Sequence, residues 1–405
     1  MDYKNPPPFA FTIFNHNNNV LTKREIHPLP YPVYLILVLI LCLTGLVSSI
    51  YLAHVHYKNY TDITFSSACA ITRSVNCDTV AQSGHSILID LPLAYYAIFS
   101  FVVLLFLTLS TIAGRNMVRW NLIFHIVLFF SFFSLYYGYI SATKIKSYCL
   151  FCITCYAAFF AITFYSFLIS KRFAIKIAPG KLHRDIFHCL KDKIIGPGFM
   201  LLVASLLALQ HWIPHYWQLD AQTLDQEIAH GVTEDHHPWI GAREPKLVIH
   251  EYTDYLCFQC YKMHFFLRRL IAEHPDNIRL VHHNFPLDNQ YNPIAGSEPY
   301  HVGAGKMALV AIRLAEHDKF WEVHDQLYKI AREGNSMDLQ KIGKEFGINA
   351  NYLASAFYDP ALLNLLKKDI YKGLQHGMTA TPSFVIEEKT YFGTLPTEVL
   401  DQAIK

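Results

Sequence analysis

The chain has 405 residues, a net charge of +2 at pH 7, and a composition that is 52% hydrophobic but only 16% charged. This length exceeds one typical domain, and so apolar a composition is unusual for a water-soluble protein. We therefore expect a membrane-embedded part. The small net charge, with no Lys/Arg block interleaved with aromatic residues, gives no reason to expect nucleic acid as a partner.

Five apolar runs are each long enough to cross roughly 30 Å of hydrocarbon, which takes about 20 helical residues. The runs cover residues 31–55, 91–113, 121–143, 149–170 and 194–213. Lys and Arg concentrate before the first run and in the segments that join runs two to three and four to five. Because basic residues beside spans stay preferentially in the cytoplasm, we predict a cytoplasmic N-terminus and place everything after the fifth run outside.

The predicted organisation has six segments. They are a cytoplasmic, poorly ordered N-terminal segment (1–30), a four-helix transmembrane domain (31–170), a cytoplasmic loop (171–193), a fifth transmembrane helix (194–213), a linker (214–245) and a soluble α/β domain (246–405). The α/β domain shows strand patterns from 247, 279, 382 and 390, with helices at 257–274, between 300 and 376, and at 396–404. His236 and His237 in the linker lack spaced partners, so we predict no metal site.

A Cys-x-x-Cys motif follows the first strand of the α/β domain. Cys257 falls at the first turn of the predicted helix, where unpaired N–H groups and the helix dipole favour a thiolate. We therefore predict that Cys257 is the attacking sulfur and that Cys260, one turn further on, closes the disulfide. A zinc half-site is the alternative, but no second Cys/His pair at suitable spacing follows.

Two further cysteine pairs belong to the apolar part of the chain. Cys149 and Cys152 open the fourth run and lie one helical turn apart, and all three pairs are predicted on the extracytoplasmic side, where disulfides persist. Cys69 and Cys77 lie in the long polar loop between runs one and two. This pair is either a structural disulfide or an electron carrier between the other two dithiols. We favour the carrier. Cys155 continues the spacing to Cys-x-x-Cys-x-x-Cys, which makes an iron–sulfur site an alternative. No fourth cysteine follows, so we favour a packing role for Cys155.

The α/β domain resembles the thioredoxin superfamily, and in particular its DsbA-like branch, over roughly residues 246–405. The resemblance rests on the Cys-x-x-Cys motif and on Phe285-Pro-Leu-Asp, Phe320-Trp-Glu-Val-His-Asp and Ala380-Thr-Pro-Ser-Phe-Val. It implies a thioredoxin-like fold in which Pro382 is cis and abuts the active disulfide. The middle dipeptide, Phe258-Gln259, departs from the Pro-His of the strongly oxidising members, so a redox potential is not transferred.

The apolar region resembles the vitamin K epoxide reductase family over roughly residues 30–170. The matching stretches are Leu41-Cys-Leu-Thr-Gly in run one, Val75-Asn-Cys in the loop, and Cys149-Leu-Phe-Cys-Ile-Thr-Cys-Tyr in run four. The resemblance implies a four-helix bundle around a quinone, with Cys152 nearest the quinone, Cys149 exchanging with the loop pair Cys69 and Cys77, and Tyr156 lining the pocket. Bacterial members carry a thioredoxin-like domain after a fifth span.

Together these features predict a mainly α membrane protein of the bacterial inner membrane with a C-terminal thioredoxin-like domain in the periplasm. The predicted function is a thiol oxidase that takes electrons from secreted or periplasmic dithiol proteins and passes them to ubiquinone or menaquinone. The alternatives are an outward-facing reductase or isomerase relay, a membrane-anchored chaperone with structural disulfides, and a reductase of vitamin K epoxide itself. We assign no role to Cys42, Cys189 or the intramembrane histidines His54 and His125.

Overall fold

The computed structural model describes residues 9–14, 20–26, 29–72, 74–114, 119–173, 175, 177–193, 195–219, 228–297, 300–315, 317, 319–333 and 337–404. The chain forms two compact units. The first, which we call the helical unit, comprises Met1–Asn59 and Ser66–His215, and the second, the α/β unit, comprises Tyr60–Phe65 and Tyr216–Lys405.

The described part of the helical unit consists almost entirely of helices. These are α1 (Tyr31–Thr61), α2 (Cys77–Gln82), α3 (Leu93–Gly114), α4 (Arg119–Ile140, continued by a π-helical turn at Ser141–Ile145), α5 (Leu150–Arg172), α6 (Leu182–Lys191) and α7 (Ile195–Trp212). Its strands are short and pair locally as two antiparallel hairpins, β1 (Phe9–Phe14) with β2 (Val20–Ile26) and β3 (Ile87–Leu88) with β4 (Leu91–Pro92).

Four of the described helices are long and apolar enough to cross a membrane. Their apolar portions are Tyr31–Thr61, Leu93–Ile112, Arg119–Ile145 and Leu150–Arg172. They correspond to the first four predicted runs and give the chain the character of a membrane protein. The apolar portion of α7, Ile195–Ala208, is shorter than these, so the fifth span remains a prediction.

Aromatic stacking and one glycine bring the apolar helices together. Phe159 of α5 stacks on Phe101 of α3 with ring centroids 4.4 Å apart and on Phe130 of α4 at 5.3 Å. Phe101 in turn lies directly against Gly45 of α1, because a Cβ built on Gly45 would overlap the ring. Stacked rings of this kind bury large apolar surfaces and fix the spacing of the helices that carry them.

The described part of the N-terminal segment differs from its prediction. We expected residues 1–30 to be poorly ordered, whereas residues 9–14 and 20–26 form β1 and β2, which pair from Phe9 opposite Ile26 onwards. Residues 1–8, 15–19 and 27–28 lie outside the described residues. The sequence of β1, Phe-Ala-Phe-Thr-Ile-Phe, is rich in the aromatic and β-branched residues that favour strands. The high content of Pro and Asn around it outweighed this signal in the prediction.

The described part of the α/β unit has a six-stranded mixed sheet flanked by helices. The strands are β5 (His230–Val232), β6 (Pro238–Gly241), β7 (Leu247–Thr253), β8 (Ile278–Asn284), β9 (Ser383–Ile386) and β10 (Lys389–Phe392), and their order is β10-β9-β7-β8-β6-β5. The helices are α8 (Phe258–Glu273), α9 (Ala304–Arg313), α10 (Phe320–Glu333), α11 (Leu339–Phe346), α12 (Ala350–Ser355), α13 (Pro360–Gln375) and α14 (Thr397–Ile404). β7 and β8 are parallel, and the other pairs are antiparallel.

The strands and helices predicted for residues 246–404 are found within a few residues of their expected positions. The segment predicted as a linker, 214–245, differs because it contributes β5 and β6 to the sheet, with Trp239 of β6 opposite Val281 of β8. β6 is largely buried and its Trp239 ring lies against the Arg279 guanidinium at 4.5 Å. A short run of buried residues between polar stretches gives only a weak strand signal.

A close contact inside the α/β unit gives the first prediction. A Cβ added at Gly373 in α13 would lie 2.6 Å from the buried Phe285 ring. Gly373→Ala should therefore destabilise the unit by about 2 kcal/mol through overpacking, although alanine normally stabilises a helix interior by about 1 kcal/mol over glycine. Urea unfolding of the detergent-solubilised chain, followed by tryptophan fluorescence, measures the change.

The exposed neighbour Lys372 supplies the matched control, since Lys372→Ala removes no buried contact and should change stability by less than about 0.5 kcal/mol. A Gly373→Ala variant at least as stable as the parent chain would contradict the packing described here.

Candidate active site

The soluble dithiol lies at the amino end of α8. Cys257 is the N-cap residue of the helix, and Cys260, one turn further in, is fully buried. The Cys257 thiol donates a hydrogen bond to the Thr381 carbonyl at 3.3 Å, and the backbone N–H of Asp254 donates to the Cys260 sulfur at 3.4 Å. The peptide bond between Thr381 and Pro382 is cis. Cys257 is therefore the accessible sulfur, and the start of β9 lies against it.

Charges around Cys257 favour its thiolate. The pKa of the Cys257 thiol is lowered from 9.0 to about 7, first by a hydrogen bond from Cys260 and then by the positive charge of His301, while burial and Asp254 act in the opposite direction. Burial raises the pKa of the Cys260 thiol, and the neighbouring Cys257 adds to this rise. The pair thus consists of one easily ionised sulfur and one that holds its proton.

His301 is a site residue that the sequence analysis missed. Its Nδ1 lies 2.8 Å from Oδ2 of Asp254, and Asp254 also accepts hydrogen bonds from the backbone N–H groups of Leu256 and Leu287. The Phe258-Gln259 dipeptide inside the motif carries no charge. The positive charge that acts on Cys257 belongs instead to His301, which lies 44 residues later in the chain. Only the tertiary fold brings this histidine to the dithiol.

A second missed feature is a buried polar network in the core that contains the dithiol. Glu251 of β7 is fully buried, with Oε1 at 3.2 Å from Nδ1 of His282, and the Tyr255 hydroxyl lies 2.5 Å from Nδ1 of His324. Burial lowers the pKa of His324 and raises that of Tyr255, so both are uncharged at neutral pH. A glutamate inside an otherwise apolar strand pattern was the signal available in the sequence, because buried charges are rare.

The loop pair forms a disulfide. Cys69 and Cys77 are bonded, with their Cα atoms 5.6 Å apart, and Cys77 is the first residue of α2. Asn76 caps this helix, since its side-chain oxygen accepts hydrogen bonds from the backbone N–H groups of Asp78 and Thr79. The second loop cysteine is therefore fixed at the start of a short helix.

Backbone pairing ties the loop to the start of α5. The N–H of Asn76 donates to the Tyr148 carbonyl at 2.9 Å, and the N–H of Tyr148 donates to the Ser74 carbonyl at 2.8 Å. The Ser147 hydroxyl adds a hydrogen bond to the Asn76 carbonyl. Since Tyr148 precedes Cys149, this short parallel bridge holds the loop disulfide beside the membrane dithiol.

The membrane dithiol and the loop disulfide open onto one cavity. Cys149 is the N-cap residue of α5, and its sulfur accepts a hydrogen bond from the Cys152 N–H at 3.2 Å. Cys77, Cys149, Cys152 and Tyr156 all line the same predominantly apolar cavity, together with aromatic residues such as Phe159. The structure thus brings together four of the residues singled out from the sequence.

The remaining cysteines are buried thiols. Cys42 and Cys155 belong to the core of the helical unit, and the Cys155 sulfur lies 3.7 Å from the Gly45 carbonyl. Cys155 also contributes to the wall of the cavity, and Cys189 of α6 is buried as well. The burial of Cys155 in the core of the helical unit is the environment of a packing residue.

Comparison with known proteins identifies both halves of the chain. Residues 36–167 match the family described as Vitamin K epoxide reductase family. Residues 248–405 match the family described as DSBA-like thioredoxin domain. The chain therefore joins a vitamin K epoxide reductase family domain to a DsbA-like thioredoxin domain, as both resemblances predicted, and the two domains indicate thiol–disulfide oxidoreductase chemistry.

Solved structures similar to this chain each cover less than half of it. They include a thioredoxin-like oxidoreductase from Silicibacter pomeroyi (23% identity, 42% of this chain and 90% of that chain, TM-score 0.35) and DsbA2 from Pseudomonas aeruginosa (21% identity, 44% and 95%, TM-score 0.33). A curated relative, Na(+)/H(+) antiporter NhaA 3 of Salinispora tropica, is 24% identical over 164 residues. That match covers 40% of this chain but only 24% of the relative, so the chain spans about a quarter of its length.

The electrostatics of Cys257 give the second prediction. Because the thiolate is the reactive form, alkylation of Cys257 should accelerate as the pH rises, with a midpoint near pH 7. His301→Gln removes the positive charge, so the midpoint should move upward and alkylation at pH 6 should slow by about threefold or more. Mass spectrometry of the modified Cys257 peptide at a series of pH values measures both quantities.

His274→Gln is the matched control, because His274 lies at the carboxyl end of the same helix α8. This variant should keep the midpoint of the parent protein. An unchanged midpoint in His301→Gln would contradict the role assigned to His301.

Proposed function

We propose that this chain is a thiol oxidase of the bacterial inner membrane that forms disulfides in secreted proteins and passes the electrons to a membrane quinone. In this proposal the helices of the helical unit span the membrane with the N-terminus in the cytoplasm. The thioredoxin-like domain then lies in the periplasm, where dithiol proteins are its substrates.

The observation that carries the proposal is the cavity shared by Cys77, Cys149 and Cys152. Thiol–disulfide exchange requires the attacking and the attacked sulfur to come into contact. A structural disulfide in the loop would have no reason to open onto the cavity of a second dithiol. The backbone pairing of Asn76 with Tyr148 holds the two pairs on the same wall, which supports the role of the loop pair as a carrier.

The first exchange takes place at the soluble dithiol. A substrate thiolate attacks the Cys257 sulfur of the Cys257–Cys260 disulfide, the Cys260 sulfur leaves and takes up a proton, and the second substrate thiolate then releases a substrate disulfide. The reduced Cys257 thiolate next attacks Cys69 of the loop disulfide. Attack by Cys260 on Cys257 then returns the soluble pair to the disulfide form and leaves two thiols in the loop.

The second exchange takes place at the membrane dithiol. The Cys77 thiolate attacks Cys149 of the Cys149–Cys152 disulfide and releases Cys152, and Cys69 then attacks Cys77 to restore the loop disulfide. Cys149 and Cys152 are left as thiols that hold the two electrons and two protons of one substrate dithiol. When Cys69 attacks Cys77, the Cys149 sulfur leaves as a thiolate, and its position at the amino end of α5 favours that form.

The residues of the cavity fit a quinone as the final acceptor. A quinone is an apolar ring with two carbonyl oxygens, and it takes up two electrons and two protons when it becomes a quinol. The cavity wall is predominantly apolar and aromatic, with Phe130, Phe159 and Tyr137 among its residues. The Tyr156 hydroxyl, one turn after Cys152, adds a hydrogen-bond donor suited to a quinone carbonyl.

Trapping of mixed disulfides tests the order of the relay. In a Cys260→Ser variant, the Cys257 thiolate attacks the intact Cys69–Cys77 disulfide and Cys77 leaves as a thiol. No Cys260 thiol is present to resolve the adduct, so Cys69–Cys257 should accumulate in membranes. In a Cys69→Ser variant, the Cys77 thiolate attacks the intact Cys149–Cys152 disulfide and releases Cys152, so Cys77–Cys149 should likewise accumulate. Non-reducing digestion and mass spectrometry identify the joined peptides, and replacement of Cys257 by serine in the first variant is the control that should abolish its adduct.

Adducts that join Cys257 directly to Cys149, or that leave the loop cysteines unmodified, would contradict this order.

Quinone depletion tests the direction of electron flow. In membranes that lack quinone, the three cysteine pairs should accumulate as thiols, and added quinone should return them to disulfides, because the quinone is the terminal acceptor. Mass-shift labelling with a maleimide after acid quenching measures the thiols. Cys152→Ser is the control, since its soluble and loop pairs should stay reduced with or without quinone.

Cysteine pairs that remain oxidised after quinone depletion would exclude the oxidase and favour an outward-facing reductase relay.

A further inference from the structure

Three side chains of the α/β unit that are distant in sequence converge away from the dithiol. They are His237 after β5, His283 of β8 and Asp369 of α13. One potential ligand atom from each lies within 4.8 Å of the others. His237 Nε2 lies 2.7 Å from Asp369 Oδ1, and His283 Nδ1 lies 3.6 Å from the same oxygen. The spaced partners that His237 lacks in the sequence are thus supplied by the fold.

The Nδ1 atom of His283 is the observation that points to a ligand. His283 is 1% exposed, and its Nδ1 has no hydrogen-bond partner, since 3.6 Å from a carboxylate oxygen is too long for a hydrogen bond. A buried polar atom without a partner costs free energy unless something else contacts it. This atom faces a carboxylate and a second imidazole, which together form the donor set of a metal site.

We propose that His237, His283 and Asp369 bind a divalent transition-metal ion, and that the ligand set suits Zn²⁺. Zinc binds imidazole nitrogen and carboxylate oxygen at about 2.0–2.2 Å, which separates neighbouring ligand atoms by about 3.3 Å in a tetrahedron. The 3.6 Å contact of His283 is close to that separation. The distance between His237 Nε2 and Asp369 Oδ1, now 2.7 Å, would increase by about 0.6 Å when a metal replaces the proton that these two atoms share.

Groups outside the ligand set hold these side chains in the orientation that a metal requires. His283 Nε2 lies 3.0 Å from Nδ1 of His250, and the Tyr252 ring stacks on the His283 ring at 4.5 Å. Asp369 Oδ2 accepts a hydrogen bond from the Asn284 N–H, which leaves Oδ1 for the metal. A ligating histidine typically donates its other N–H to a neighbouring acceptor, and His250 is such an acceptor.

A second cluster, Glu251, His282 and His324, has a similar composition but is less suited to metal. All three residues are at most 1% exposed, and His324 Nδ1 already lies 2.5 Å from the Tyr255 hydroxyl. The proposed site borders a small cavity through His237 and Asp369, and His282 of the second cluster lines the same cavity. The proposed site differs in that its His237 side chain is 17% exposed, which gives an ion a route to it from solvent.

Zinc binding to the full chain tests the proposal. The detergent-purified protein is oxidised, its remaining accessible thiols are blocked with N-ethylmaleimide, and it is stripped with a chelator and dialysed against Zn²⁺. Atomic spectroscopy should find one zinc per chain, and its affinity should fall at least tenfold in His237→Gln and Asp369→Asn. His236→Gln and His324→Gln are the matched controls and should bind like the parent protein.

Cobalt gives an independent readout of the ligands. Co²⁺ at this site should produce the visible absorption bands of four-coordinate cobalt with nitrogen and oxygen ligands, without the intense near-ultraviolet bands of cobalt thiolates. Circular dichroism of the metal-free variants checks their fold, and His237→Gln carries the test if Asp369→Asn does not fold. Less than one tenth of an equivalent of zinc, unchanged affinity in His237→Gln, or loss of zinc in His324→Gln alone would overturn the proposal.

Discussion

The amino end of an α-helix is the position that all three cysteine pairs share. Cys77 is the first residue of α2, and Cys149 and Cys257 are the N-cap residues of α5 and α8. Unpaired N–H groups and the helix dipole favour a negative sulfur at each place. Because exchange between disulfides proceeds only through thiolates, the points at which these helices begin determine where exchange takes place in the proposed relay.

The interior of the α/β unit contains two clusters of buried polar side chains, and strand β8 contributes a residue to each of them. Successive side chains of a strand point to opposite faces of the sheet, so the adjacent residues His282 and His283 of β8 serve two separate clusters. His282 contacts Glu251 in the core that holds the dithiol, whereas His283 contacts Asp369 on the other face. Buried polar groups are costly unless they are satisfied, which favours a function for each cluster over packing alone.

Local pattern was sufficient to predict most of the fold. The four long apolar helices and the strand–Cys-x-x-Cys–helix order follow from residues close together in the chain, and the structure contains both. The hydrogen bond of Cys257 to Thr381 and the electrostatic effect of His301 on its thiol depend on segments that meet only after folding, so spacing alone could not reveal His301. β6 was not predicted because four residues are too few for a periodic signal. His237 was therefore assigned to a linker, so its position beside His283 and Asp369 could not be inferred from the sequence.

The three remaining thiols lie away from the amino ends of helices. Cys42 and Cys155 lie inside α1 and α5, and Cys189 lies in the last turn of α6, so none of them has the unpaired N–H groups that favour a thiolate. In the proposed relay, the electron capacity of the chain is therefore set by three dithiols, with two electrons apiece. A fully reduced molecule would then hold the product of three turnovers.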